Sequence, residues 1–232
     1  MKKRFGYGIS DSEIEQLKAL LQHKVLFILA GPNGVGKGTI LNLLLSDESL
    51  TVERVRLYTT KSVGMDGTHD QDYFYVSQET YEEMRNNRQF LQWQQFPYGC
   101  YAISIRVLFE TLKRCSCAVI DTGVGASLDL KIFSRQHAIP HLDAFITPVA
   151  IDILMSPEGI NAALAILRNR MLRRNRGEAD ADLKDRLDTA QRWLGQVSQL
   201  PFRSFVPNVE GNLDEAHRQI STMIRSRLDS SR

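Results

Sequence analysis

The residues best suited to chemistry are Lys37 and the glycines around it, in the segment GPNGVGKGT at residues 31–39. The backbone N–H groups of such a glycine-rich loop can turn inward around phosphate oxygens, and the lysine ammonium adds positive charge. Six apolar residues precede the loop, which is typical of a short buried strand, and a helix is expected after it. The spacing G-x-x-x-x-G-K between strand and helix predicts a phosphate-binding loop. We name this segment the phosphate loop, and its expected phosphate contacts are Gly31, Asn33, Gly34, Val35, Gly36, Lys37, Gly38 and Thr39.

Gly38, directly after the lysine, indicates which class of nucleotide-binding protein this phosphate loop resembles. A Ser or Thr usually follows the lysine and places its hydroxyl on Mg²⁺, whereas here Thr39 stands one position later. The ending G-K-G-T resembles that of small-molecule kinases of the nucleoside monophosphate type. That resemblance implies that a magnesium ion is held largely through water and nucleotide, and it argues against a switch GTPase or a motor.

Asp121 is a second candidate at the same site. It ends the apolar run CAVID, which is typical of a buried strand, and a helix is expected from about residue 127. An aspartate at the carboxyl end of such a strand lies beside the phosphate loop in a parallel sheet, where it can orient metal-bound water. A helix-capping or turn role is the alternative. Thr39 and Asp121 are therefore the candidate metal ligands, acting through water.

Length and composition are those of an ordinary globular protein. The 232 residues are 43% hydrophobic and 24% charged, which predicts one domain with a full core. A net charge of +2 is too small to indicate binding to nucleic acid or to a membrane. The basic start has no apolar h-region, and no apolar run reaches membrane-spanning length. With three cysteines in no framework spacing, these features predict a cytoplasmic protein.

The order of elements predicts a core that is interrupted by a small inserted region. A second strand is expected at residues 54–58, after the phosphate loop and its helix. Short strands and one helix, capped by Ser77, then follow up to residue 104, and the last of these strands is expected to start at residue 101. The insertion covers residues 58–104. The core segments are expected at residues 24–57, 105–150 and 187–228.

The arginine-rich end of a predicted long helix is a further candidate site. Residues 167–176 read LRNRMLRRNR, the acidic segment GEADAD follows, and Arg186 lies on the next helix. A solvated basic face is the usual interpretation of such a charge run, and contact with nucleic acid is another. The near-neutral net charge disfavours nucleic acid. Arginines on both sides of a loop, downstream of a phosphate loop, favour a phosphate-clamping lid over residues 168–186.

The order of these motifs resembles the guanylate kinase family over about residues 24–225. The matching stretches are GPNGVGKGT, TTK, DYFYVS, FLQW, AVID, RNRG, and VPN followed by LDEA. The resemblance implies an α/β fold, the three-layer P-loop NTPase fold with a central parallel sheet, an inserted small mixed acceptor-binding subdomain and a mobile lid. It also implies ATP as the phosphate donor, Mg²⁺ as the cofactor and a nucleoside monophosphate as the acceptor.

The resemblance assigns the acceptor site to the inserted region, where this sequence departs from the family pattern. Tyr73 and Tyr101 match two tyrosines that hold the acceptor phosphate, and Lys61 takes the place of an arginine. Gln92 stands where the family reads guanine with a glutamate, so its carbonyl can accept from a base N–H without the charge. The further departures are Leu57 for a serine, Gly64 for an arginine, Ile103 for a serine and Val119 for an aspartate.

Catalysis of phosphoryl transfer needs in-line positioning and charge stabilisation rather than an activated side-chain nucleophile. Lys37 and Asp121 are the expected catalytic groups, together with two lid arginines. By resemblance Arg176 and Arg186 match the family pair best, although their spacing is shorter than the family's. The alternatives for the lid arginines are Arg170, Arg173 and Arg174.

Three functions are compatible with these residues. The first is ATP-dependent transfer to a nucleoside monophosphate, by resemblance GMP. The second is a kinase of the same fold for a different acceptor, which the departures in the acceptor site motivate. The third is a non-catalytic guanylate-kinase-like module that binds a protein partner, and the presence of Lys37 disfavours it.

Overall fold

Two β-sheets organise the chain in the computed structural model. The structure describes residues 9–61, 72–96, 99–173, 180–210 and 212–230. In chain order the strands are β1 (Val25–Ala30), β2 (Val52–Arg54), β3 (Leu57–Thr59), β4 (Tyr73–Tyr75), β5 (Phe90–Phe96), β6 (Gly99–Ser104), β7 (Cys117–Asp121), β8 (Leu142–Thr147) and β9 (Phe205–Pro207). The helices are α1 (Asp11–Leu20), α2 (Lys37–Leu45), α3 (Gln78–Asn86), α4 (Ile105–Arg114), α5 (Val124–Gln136), α6 (Pro157–Arg173), α7 (Asp180–Leu194) and α8 (Leu213–Asp229).

The parallel sheet has the strand order β2-β7-β1-β8-β9, and every pairing in it is parallel. Strand β1 therefore lies in the centre. Its side chains alternate between two apolar clusters, with Phe27 and Leu29 in one and Leu26 and Ile28 in the other. Helices α2, α6, α7 and α8 contribute to the first cluster, whereas α1, α4 and α5 contribute most to the second. This arrangement of helix, sheet and helix layers confirms the predicted three-layer α/β fold.

The mixed sheet has the order β4-β3-β6-β5 and presents two different faces. Its outer face is covered by α3, whose Tyr81 is fully buried against Phe90 and Ala102. Residues that pair across neighbouring strands share a face, so the register defines the members of the opposite side. We name it the inner face, and it carries Leu57, Thr59, Tyr73, Tyr75, Gln92, Gln94, Tyr101 and Ile103.

The prediction of a single strand at residues 54–58 is wrong. The structure has two strands there, β2 and β3, and the chain passes from the parallel sheet to the mixed sheet between them. Arg54 ends β2, which pairs with β7 at the edge of the parallel sheet. The Val55 N–H still donates to the Val119 carbonyl at 2.9 Å, and β3 then begins at Leu57 in the mixed sheet. Alternation of side chains continues through both strands, so the sequence pattern cannot show where the partner strand changes.

Two further boundaries differ from the prediction, and the capped helices agree with it. Strand β6 begins at Gly99, and α5 begins at Val124 rather than near Ser127. The Ser127 hydroxyl donates back to the Gly123 carbonyl at 3.1 Å inside the first turn, a bond that helical serines make as readily as caps. The capping box of Ser10 and Glu13 is present as predicted.

In the part of the chain that the structure describes, no helix combines the length and the apolar content that crossing a bilayer requires.

Candidate active site

The phosphate loop lies where the sequence predicts it, between the central strand β1 and helix α2. Three of its glycines have positive backbone angles, with φ of +149° at Gly31, +81° at Gly34 and +99° at Gly36, which residues other than glycine adopt at a cost. Helix α2 begins at Lys37, so its first N–H groups open towards the loop. The local geometry is that of an anion-binding helix start.

Lys37 lies half-buried against the backbone of its own loop. Its Nζ donates to the carbonyl oxygens of Gly31 at 3.0 Å and Pro32 at 3.2 Å. The ammonium charge is therefore held beside the glycine-rich turn rather than out in solvent. Asn33 and Thr39 are the exposed members of the loop, so both side chains are open to a ligand.

Asp121 lies at the end of β7, next to the central strand. Its Cα is in register with that of Leu29, one residue before β1 ends, and its side chain is half-buried. Val119, two residues earlier, is fully buried in the same core cluster as Leu29. Asp121 therefore ends its strand beside the residues of β1 that lead into the phosphate loop, whereas Val119 packs in the core.

Among the residues that the structure describes, Arg170 is an arginine that contacts the phosphate loop. From α6 its guanidinium donates to the carbonyl oxygens of Val35 at 3.4 Å and Asn208 at 2.9 Å. Burial lowers the pKa of this guanidinium below its usual value, although arginine remains charged in such a site. The sequence offers Arg170 only as one alternative among several arginines, because nothing local marks which helix face meets the loop.

Helix α6 packs directly onto the loop, which explains how Arg170 reaches it. A Cβ added at Gly34 would lie 3.1 Å from the Leu167 carbonyl oxygen and 3.0 Å from the Met171 side chain. Close approach of the helix thus depends on a residue without a side chain at this position.

The other arginines of the predicted lid have different positions. Arg173 forms an exposed ion pair with Glu210 at 3.0 Å, Arg168 is exposed on α6, and Arg186 is half-buried on α7. Helices α6 and α7 are in contact. Arg174 and Arg176 lie outside the described residues.

Asn208 is a site residue that sequence reasoning missed. It follows β9, is 6% exposed, and its Nδ2 donates to the Val35 carbonyl at 2.7 Å. A Cβ at Gly36 would lie 2.2 Å from that same nitrogen. The signal in the sequence is the VPN segment, but only the fold shows that the end of the last strand touches the loop.

The two predicted acceptor tyrosines come together on the inner face of the mixed sheet. The rings of Tyr73 and Tyr101 lie edge to face, with centroids 5.8 Å apart, and both residues are half-buried. Strands β4 and β6 bring them to one face through their pairings with β3. Their phenol groups can therefore serve one ligand.

Gln92 lies on the same face but is 2% exposed, so it is a buried residue rather than a surface one. Its Nε2 donates to the Trp93 carbonyl and to Asp129 Oδ2, each at 3.2 Å. Asp129 lies on α5 and was not singled out from the sequence, since a lone aspartate in a helix carries no local signal. Gln94, the next residue on this face, packs against the start of the same helix, where a Cβ at Gly125 would lie 2.7 Å from its Nε2.

Lys61 follows the end of β3, at the rim of the mixed sheet. Its N–H donates to Thr59 Oγ1 at 3.1 Å, and its side chain is half-buried. Gly64 lies outside the described residues. Leu57 and Ile103 are buried in the cluster shared with α4 and α5, so these two departures from the family pattern belong to the core.

The residues that could hold a metal ion at the phosphate loop offer oxygen atoms, which are hard ligands. Within the described ranges, no group of three or more His, Cys, Asp or Glu side chains could hold an ion by itself. Thr39 and Asp121 offer a hydroxyl and a carboxylate at the loop edge, and such oxygens suit Mg²⁺ that keeps most of its water and phosphate ligands. The donor set therefore fits the expected cofactor.

An open parallel sheet whose central strand leads through a glycine-rich loop into a helix defines the P-loop class of nucleotide-binding proteins. The guanylate kinase family model matches residues 23–227. The chain belongs to the guanylate kinase family of nucleoside monophosphate kinases.

Individual relatives agree with this assignment. The chain is 26% identical over 191 residues to the guanylate kinase of Bacillus subtilis (strain 168), covering 82% of this chain and 85% of that one. It is 34% identical over 137 residues to the guanylate kinase of Mycoplasma mobile, covering 58% and 68%. The crystal structure of guanylate kinase from Anaplasma phagocytophilum has a similar fold, with a TM-score of 0.60 at 15% identity over 89% of this chain and 87% of that one.

Proposed function

We propose that the chain transfers the γ-phosphoryl group of ATP to the phosphate of GMP, which yields ADP and GDP. The observation that carries this proposal is the presence of two half-sites in one chain. One is the phosphate loop with Lys37 and Arg170 against its backbone. The other is the inner face of the mixed sheet, with Tyr73 and Tyr101 together. A donor site and an acceptor site are what direct transfer between two phosphates requires.

On the donor side, the phosphate loop binds the phosphates of ATP through its N–H groups and the start of α2. Lys37 moves its ammonium from the Gly31 carbonyl to the transferring phosphate, and it stabilises the charge that develops there. Arg170 is already beside the loop and adds a second charge. Arg186, and by resemblance Arg176, complete the lid over residues 168–186.

Mg²⁺ is the cofactor that this donor set fits. Thr39 and Asp121 would hold it through their oxygens, mainly by way of water. When bound, the ion neutralises charge on the phosphates and aligns them for in-line transfer. Asp121 contributes by orienting that water from the end of β7.

On the acceptor side, the inserted region of residues 58–104 positions GMP. The Tyr73 and Tyr101 hydroxyls donate to its phosphate, and Lys61 adds a point charge where an arginine would grip two oxygens. Gln92 offers a neutral carbonyl to the base. Replacement of the family's arginine by Lys61 and of its glutamate by Gln92 weakens the binding of GMP. Neither change removes a group that the transfer step needs.

A different acceptor is the second candidate. The neutral Gln92 and the single charge of Lys61 favour a different acceptor. They reduce the preference in binding free energy for GMP by about 1–3 kcal/mol for each charged hydrogen bond lost.

The deciding experiment is a phosphotransfer assay with ATP and Mg²⁺ against GMP, IMP, AMP, CMP and UMP. We expect GMP to be a substrate in the wild type and turnover to be lost in Lys37→Ala. Lys113→Ala is the matched control, because it removes one ammonium from an exposed ion pair with Glu110 on α4. Turnover of another monophosphate in place of GMP supports the second candidate. ATP binding without turnover of any monophosphate contradicts the proposal and favours the second candidate, with an acceptor outside this panel.

A further inference from the structure

The amide of Gln92 has both of its hydrogens engaged on one side. Nε2 donates to the Trp93 carbonyl and to the Asp129 carboxylate, each at 3.2 Å, while the residue is 2% exposed. Both partners are acceptors, and a carboxylate or carbonyl oxygen has no hydrogen to give. The carbonyl end of this amide therefore points away from Asp129.

Rotation of the amide by half a turn would be costly. It would place the Gln92 carbonyl oxygen against two other oxygens and leave the NH₂ group without these acceptors in a buried site. The donor and acceptor chemistry of the two partners thus fixes the orientation of the amide. Asp129 acts as a one-sided clamp on the amide.

The approach of α5 to the mixed sheet makes this clamp possible. Gly125, one turn before Asp129, leaves room for the Gln94 amide, since a Cβ there would lie 2.7 Å from Gln94 Nε2. Gln92 and Gln94 are alternate residues of β5 on the inner face, which also carries Tyr73 and Tyr101. The clamped carbonyl therefore belongs to the same face as the tyrosine pair.

We propose that Asp129 is a positioning residue for base recognition, which holds Gln92 so that its carbonyl oxygen accepts a hydrogen bond from the acceptor base. This inference rests on the proposed function. A fixed acceptor selects a purine whose ring nitrogen at position 1 carries hydrogen, as in guanine and hypoxanthine. In adenine that nitrogen is itself an acceptor and repels the carbonyl. A single neutral acceptor also gains little from the 2-amino group, so the site takes both GMP and IMP.

A four-member variant set tests the clamp: wild type, Asp129→Asn, Gln92→Glu and the double variant. Asparagine can present either its oxygen or its NH₂ group to Gln92, so the amide is no longer fixed. We expect the ratio of kcat/KM for GMP over AMP to fall about tenfold in Asp129→Asn, the equivalent of one ordinary hydrogen bond. The change should lie in KM for the monophosphate, with KM for ATP unchanged.

The two remaining variants reverse the polarity of the pair. Gln92→Glu alone places two carboxylates together, which cannot both ionise, and is expected to weaken GMP binding in a pH-dependent way. In the double variant the amide introduced on α5 donates to the carboxylate introduced on β5, so selectivity over AMP returns and the charged group also favours GMP over IMP. Glu110→Gln, an exposed carboxylate change on α4, is the control and should alter none of these ratios.

A measurement on the wild type covers the case in which a variant does not fold. The Gln92 side-chain carbonyl carbon, observed by NMR, should shift on addition of GMP or IMP and not of AMP. Unchanged base ratios in Asp129→Asn, or equal shifts with all three, overturn the inference while the proposed function stands. A wild type that phosphorylates no monophosphate overturns the proposed function and the inference together.

Discussion

Asn208 donates a hydrogen bond of 2.7 Å from its Nδ2 to the backbone carbonyl of Val35 in the phosphate loop. Its own N–H donates to the Thr147 carbonyl at 2.8 Å, which continues the pairing of β9 with β8. The loop is thereby tied to the far side of the parallel sheet. Because Arg170 donates to the Asn208 carbonyl and to Val35, the tie also fixes the arginine that we place at the transferring phosphate.

Asn208→Asp tests this tie, because it keeps the shape of the side chain and removes the NH₂ donor. A carboxylate oxygen then faces the Val35 carbonyl, and we expect the free energy of unfolding to fall by about 1–3 kcal/mol, with weaker ATP binding. Urea unfolding and an ATP titration measure the two effects. Asn212→Asp is the control, since Asn212 is exposed at the start of α8 where aspartate is an equally good cap. Equal effects in the two variants would contradict the tie.

Gly36 and Gly38 form a matched pair for the shape of the loop. Gly36 has φ of +99°, and its Cβ would meet Asn208 Nδ2 at 2.2 Å, whereas no atom lies within 4 Å of a Cβ at Gly38. We expect Gly36→Ala to cost about 1–3 kcal/mol from the backbone alone and to abolish ATP binding. Gly38→Ala should be neutral or stabilise α2 by up to about 1 kcal/mol. Thermal unfolding of both variants decides, and similar losses would show that the loop geometry is different.

Arg170 and Arg168 test which arginine of α6 serves the loop. Arg170→Ala removes the contacts with Val35 and Asn208, and we expect kcat to fall about tenfold to a hundredfold because loop and charge are both displaced. Arg168 is exposed on the same helix, so Arg168→Ala should change kcat little. Steady-state kinetics at saturating ATP gives the comparison. An effect confined to Arg168 would contradict the assignment of Arg170.

From the lowered pKa of Asp143 we expect the folded state to lose stability in acid. This β8 carboxylate is fully buried, and burial alone would raise its pKa. Hydrogen bonds from Lys131 and the Arg203 N–H, together with the His141 imidazole 3.4 Å away, outweigh burial and lower the pKa of Asp143 from 3.8 to about 2. The stabilisation, about 2 kcal/mol, is thus present above pH 3.8 and is lost as the pH falls towards 2.

Asp143→Asn provides the check on that acid transition. It leaves Lys131 without its carboxylate, so we expect about 3–5 kcal/mol of destabilisation near neutral pH. The remaining stability should depend less on pH between 4 and 2 than in the wild type, as followed by circular dichroism. An unchanged acid profile would show that another carboxylate controls the transition.

Local signals in the sequence predict most of the fold, because each of them involves residues that are close together in the chain. The strand and loop before Lys37, and the caps at Ser10 and Ser77, follow from spacing and residue type alone. The change of sheet after Arg54 does not follow from such signals, because the alternation of side chains in a strand carries no information about which strand it pairs with.

The site divides in the same way. Lys37 and Asp121 are predicted from motifs, and the tyrosine pair from resemblance. The contacts of Arg170 with Val35, and of Gln92 with Asp129, join residues that are 135 and 37 positions apart. Such contacts depend on how helices pack on the sheets, so no spacing in the sequence indicates them.

The most direct test of the central claim follows the transferred group itself. ATP labelled in the γ-phosphate is incubated with GMP, Mg²⁺ and the chain, and the nucleotides are separated. The account predicts that the label appears in GDP in step with ADP, and that Lys37→Ala abolishes the transfer. Label that appears as inorganic phosphate, or that stays in ATP with GMP and with every other monophosphate, would contradict it.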